Sequence, residues 1–101
     1  MAEERYPLPP IHPGRILKED LDDAGVSMNR LARDTRVPMN RVSEIVNGKR
    51  AITADTALRL ARYFGTSAQY WLNLQTAYDL QVAQRESAAR IEREVLPLDA
   101  A

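Results

Sequence analysis

A chain of 101 residues, 45% of them hydrophobic, has room for one small domain with one core. It has no cysteine, which excludes a disulfide framework and a thiolate metal site, and no apolar run approaches the roughly 18 residues that would span a membrane. Fourteen basic residues balance fourteen acidic ones, so the overall positive charge of a generic nucleic-acid binder is missing.

The first segment holds Pro7, Pro9 and Pro10 and ends in Ile11-His12 before Pro13, which predicts an extended arm over residues 1–12. Tyr6, Leu8 and Ile11 are its side chains able to dock. The arm lacks the basic and apolar regions of a signal peptide, so a cytoplasmic protein is expected. Pro13 suits the first turn of a helix, Ile16, Leu17, Leu21 and Ala24 mark an apolar stripe, and Gly25 closes it as a left-handed cap. His12 is the single histidine and has no cysteine or carboxylate spaced to complete a ligand set. It reads as a ring beside a helix start, with no metal or catalytic role.

The stretch from Val26 to Arg50 reads as two short helices joined by a turn. Ser27 caps the first, which buries Leu31 and Ala32; the second opens after Val37-Pro38 and buries Val42, Ile45 and Val46. That pattern is a helix-turn-helix, whose second helix enters the major groove of DNA. Its non-apolar face, Met39, Asn40, Arg41, Ser43, Glu44 and Asn47, then meets base edges or phosphates. Asn-Gly-Lys at 47–49 ends the helix, Ile52 returns to the core, and Thr53 caps a fourth helix carrying Ala54, Ala57, Leu58, Leu60, Ala61 and Phe64 up to Gly65. Ser67 caps a fifth, in which Trp71, Leu74 and Tyr78 follow helical spacing.

No segment alternates with the period of a strand. Five helices with short connections predict an all-α helix-turn-helix domain over residues 13–83, which resembles the lambda-repressor-like fold. The C-terminal segment 84–101 has few large apolar residues and is expected to be a helical extension, a frayed tail or a pairing surface. Tyr70, Trp71, Leu74 and Tyr78 form either core or a dimer interface, since five helices cannot easily bury them all.

Charge is unevenly placed. Ser27 to Arg50 holds six basic and two acidic residues, whereas Ser67 to Ala101 holds three basic and five acidic. A local basic patch on a neutral chain suits sequence-selective DNA binding with limited nonspecific affinity; ordinary solvated charge is the alternative. Arg41 is placed to read guanine O6/N7, and Asn40 an adenine or a phosphate. Glu44 either accepts from a cytosine amino group or pairs with a neighbouring arginine. Lys49, Arg50 and the helix starts at Ser27, Asn29 and Thr53 suit phosphates.

Three motifs, HPGRIL at 12–17, EIVNGKRAITADTALRLARYFGTS at 44–67 and YWLNLQTAYDLQVA at 70–83, resemble the HigA-type antitoxins of the Xre helix-turn-helix superfamily. The resemblance implies a bacterial antitoxin that represses its own operon as a homodimer and neutralises a HigB-type toxin, a nuclease that cuts messenger RNA. Many relatives carry a glutamine after the capping serine, where it bonds phosphate; Met28 stands there in this chain and cannot donate such a bond. Two other readings keep the fold: a stand-alone transcriptional regulator with no toxin partner, and a toxin-binding module with weak DNA binding. An enzyme is disfavoured by one histidine, no glycine-rich phosphate loop and no carboxylate pair in an apolar setting, and no cofactor is expected. Single-stranded RNA would need aromatic stacking platforms that the sequence lacks.

Overall fold

The computed structural model describes residues 8–99, so Tyr6 lies outside the described residues. Among them five helices follow in order: α1 (Pro13–Ala24), α2 (Met28–Thr35), α3 (Met39–Val46), α4 (Ala54–Phe64) and α5 (Ala68–Glu94). None is long and apolar enough to cross a membrane.

Each boundary has a local cause. Ser27, Thr53 and Ser67 accept from the third amide of their helices, those of Arg30, Thr56 and Tyr70. At the start of α1 the cap is His12, whose Nδ1 accepts from Gly14 N–H at 2.9 Å. The helices end in left-handed residues: Gly25 after α1, Gly48 just past α3 and Gly65 after α4. After α2 the left-handed residue is Arg36, at φ 59°, where the sequence offers no glycine. The amide of Val37 donates to Ala32 O there at 3.1 Å and closes the turn.

The core gathers Leu17 and Leu21 of α1, Leu31 and Ala32 of α2, Val42 and Ile45 of α3, Ile52, Ala57, Leu60 and Ala61 around α4, and Trp71 of α5. Burial of each large member removes it from water for about 1.5 to 3 kcal/mol. Six expected members sit outside this core. Ala24, Ala54 and Leu58 are exposed and Ile16, Val46 and Phe64 are half-buried, α4 turning Leu60 inward instead of Leu58. Trp71 is 0% exposed, with its indole N–H donating to Thr66 Oγ1, so it belongs to the core and corrects its assignment to a dimer interface. Leu74 and Tyr78 are half-buried and Tyr70 is 40% exposed.

Of the alternatives for the C-terminal segment, the helix holds: α5 runs unbroken for 27 residues to Glu94, about 40 Å at 1.5 Å per residue. Its buried residues, Trp71 and Gln75, lie in its first third, so the rest projects from the core and stretches the molecule to 56 × 25 × 22 Å. Leu8 and Ile11 of the arm stay exposed; the arm touches α5 where Arg85 donates to the Leu8 carbonyl.

His12 lies between elements. Its ring stands edge-on to Tyr78 at 4.9 Å, beside Gly48. Burial holds its imidazole below the ordinary 6.5, outweighing the Asp79 carboxylate and the Arg50 carbonyl, which both favour the charged form. A proton on Nδ1 would also cancel the cap. Because the folded pKa is depressed, the folded state binds fewer protons than the unfolded one; the contribution is whole above 6.5 and is lost as pH falls below it. Melting curves at about pH 7.5 and 5.5 should show a larger drop for the native chain than for His12→Asn, whose amide oxygen caps without titrating. Equal drops would mean that His12 does not supply the linkage.

Candidate nucleic-acid interface

The helix-turn-helix is fixed from behind. Val42 and Ile45, 3% and 1% exposed, pin one face of α3 to the core, and the opposite face therefore points to solvent. Asn40 and Asn47 are exposed on it and Ser43 and Glu44 half-buried; exposed Met39 and half-buried Arg41 flank it at 100° per residue. The α2 helix is docked from α4: Arg59 donates to Thr35 O at 3.0 Å, and Tyr63 OH to Asp34 at 3.2 Å.

Hydrogen bonds sort the face into free and engaged groups. Glu44 accepts from Arg50 Nε at 2.9 Å, and Asn47 Nδ2 donates to Ser43 Oγ at 3.3 Å. Of the two possibilities for Glu44, the free protein thus shows the arginine pair, with Arg50 as the partner. Both side chains are more than 40% exposed, so the pair contributes little to stability and is readily exchanged for a phosphate. Met39, Asn40, Arg41 and Lys49 make no side-chain hydrogen bond or ion pair among the described residues. Arg41, in the first turn, is a half-buried guanidinium with no partner among the described residues.

The remaining candidates flank this face. Ser27 and Asn29 are exposed at the start of α2, Thr53 at the start of α4, and Lys49 and Arg50 in the connection between α3 and α4. The capping hydroxyls occupy one amide each, which leaves the first amides of those helices directed outward with the positive end of the dipole.

Two residues that place this face escape a reading by side-chain type. Gly14 lies in the first turn of α1 against the last turn of α3: an added Cβ would stand 1.8 Å from Ile45 O and 2.7 Å from its carbonyl carbon. A glycine inside a helix, unfavourable by roughly 1 kcal/mol, is the available signal. Gln75 is 6% exposed and accepts from Ile52 N–H at 2.8 Å, tying α5 to the connection before α4. Its signal is an amide between Trp71 and Tyr78 on the inward stripe of α5.

A helix-turn-helix family model matches residues 17–71, more than half the chain. Virulence-associated protein I of Dichelobacter nodosus is 55% identical over 80 residues, covering 78% of this chain and 74% of that protein. The structure of a HigA-family addiction module antidote protein from Coxiella burnetii superposes with a TM-score of 0.85 at 54% identity, covering 89% of this chain and 99% of that one. The chain belongs to the HigA family of helix-turn-helix proteins. Another HigA structure, the Pseudomonas aeruginosa antitoxin with the higBA promoter, gives a TM-score of 0.84 at 47% identity over 88% of this chain and 98% of that one. The three HigA-like motifs fall on the start of α1, on the run from α3 to the start of α5, and on α5 itself. Met28, the departure from many HigA relatives, is partly buried against the core. Its thioether packs there instead of reaching out.

Proposed function

We propose that this chain is the antitoxin of a toxin-antitoxin pair: a cytoplasmic repressor that binds its own operator as a homodimer and neutralises a HigB-type, messenger-cleaving toxin. What supports the operator half is the first turn of α3, where Asn40 faces out opposite the buried Val42 and Ile45, Arg41 flanks that face, and neither is paired among the described residues, in a fold shared with a HigA solved with its promoter. Arg41 reads guanine, Asn40 an adenine or a phosphate, and Lys49, Arg50 and the starts of α2 and α4 seat the backbone. Glu44 positions Arg50 and takes a lesser part in base reading. The toxin half is supported by family membership, and its test is relief of growth arrest when this chain is co-expressed with the neighbouring reading frame.

One recognition helix reads only a few base pairs, so two copies are required for a full site. The pairing surface belongs on α5, but not on its Trp71 face. Tyr70, Ala77, Leu80 and Ile91 are exposed and, at 100° per residue, fall within one 80° sector turned away from the core. Tyr70 is the member that this stripe shares with the interface expected from sequence; Leu74 and Tyr78 border the chain's own core.

Binding titrations with operator variants at two salt concentrations test the reading. Arg41→Ala should relax preference at one position per half-site and cost roughly 1 to 3 kcal/mol, whereas Lys49→Ala should weaken every sequence alike and lower the salt slope by about one. Stoichiometry should be two protomers per duplex, with half-sites about 34 Å apart. If Arg41→Ala lowers the salt slope and leaves base preference intact, Arg41 is a phosphate clamp and reading passes to Asn40 and Ser43.

A further inference from the structure

The connection from Asn47 to Thr53 carries four of the residues assigned to DNA, Asn47, Lys49, Arg50 and Thr53, and has no helix of its own beyond the turn at Gly48. It is held instead from behind. The Ile52 side chain is 2% exposed, and its amide donates to Gln75 Oε1 at 2.8 Å. Gln75 Nε2 in turn donates to Asp79 Oδ1 at 2.9 Å.

The direction of the Gln75 amide matters. A side-chain amide offers a donor at one end and an acceptor at the other, and only the acceptor end suits Ile52 N–H. Asp79, as a carboxylate, accepts and cannot donate. It therefore draws the NH2 group toward itself and leaves the oxygen facing Ile52. Were the amide reversed, NH2 would face N–H and the buried Ile52 amide would lose its partner.

We propose that Gln75 is a positioning residue for DNA binding: oriented by Asp79, it anchors the Lys49-Arg50 connection to α5 so that both cations meet the backbone in a fixed place. The inference rests on the operator-binding reading above. It also links the helix that carries the pairing stripe to the loop that carries the phosphate contacts, through one hydrogen bond whose direction a second, within α5, sets.

The test uses the full chain and the duplex that the native protein selects from a random-sequence pool. Asp79→Asn and Asp79→Ala remove the same charge, so any general gain in attraction for DNA is common to both; only asparagine keeps an acceptor for Gln75. Asp79→Asn is expected to bind within about twofold of the native chain, and Asp79→Ala about tenfold more weakly on every sequence, as for one lost hydrogen bond. Asp79→Ala should also have a shallower salt slope and faster hydrogen exchange at the Ile52 amide. Gln75→Leu should match Asp79→Ala, and if it fails to fold the Asp79 pair decides, since Asp79 is exposed. Identical affinity, slope and Ile52 exchange in the two Asp79 variants overturns the proposal. A native chain that selects no duplex sinks the operator reading itself, and this inference with it.

Discussion

Gly14→Ala is expected to lower the melting temperature by roughly 12 to 24 °C, taking about 3 kcal/mol of destabilisation at 4 to 8 °C per kcal/mol for a domain of this size. In an ordinary helix the same change stabilises by up to about 1 kcal/mol, because alanine is the better helix former. Here the new methyl would stand 1.8 Å from Ile45 O, 2.7 Å from Ile45 C and 3.0 Å from Val46 Cα. All three are backbone atoms of α3, so no rotamer change relieves the contact and the helices must separate. Separation opens the packing between α1 and α3 and moves the recognition helix with it. Operator affinity should fall together with stability. A thermal scan in which Gly14→Ala melts at or above the native temperature would show that α1 and α3 do not cross this closely in solution.

The parts of this architecture legible in the sequence are those with local causes. Capping serines and threonine at 27, 53 and 67, glycines at 25, 48 and 65 and apolar spacing of three and four place the helices, because each acts within one turn of its own position. What stayed hidden depends on distant partners. Arg36 adopts a left-handed conformation because α3 must be aimed back at the core, and nothing in its side chain announces it. His12 reads as a ring beside a helix start, and its place against Gly48 and Tyr78 depends on a contact more than sixty residues away. Trp71 has interface chemistry, yet its burial is decided by how α5 lies across α4, with Phe64 at 5.9 Å. The DNA-facing set is legible in outline because burying Val42 and Ile45 leaves α3 one outward face. Which members are free and which are paired, as Glu44 is with Arg50, follows only from geometry.

Val42→Asp is expected to leave the chain largely unfolded, and Leu58→Asp to leave it native, although both replace an aliphatic residue that the sequence places in the core. Val42 is 3% exposed and Leu58 64%. At position 42 the substitution forfeits about 1.5 to 3 kcal/mol of apolar burial. It also puts a carboxylate where α2 and α3 meet, which either ionises without a partner or takes up a proton, at a further cost of several kcal/mol. A small domain holds roughly 5 to 15 kcal/mol in all, so the combined loss consumes most of its margin. At position 58 little burial is forfeited, and the shallow groove that the new carboxylate joins is lined by both signs of charge, Arg59 and Arg62 with Asp34 and Asp55. The change there should stay within about 0.5 kcal/mol. Circular dichroism should therefore show collapse of the helical signal for Val42→Asp, with DNA binding lost in parallel, and a native spectrum and melt for Leu58→Asp. A cooperative, native-like melt for Val42→Asp would mean that α3 presents a different face to the core, and the outward assignment of Arg41 would fall with it.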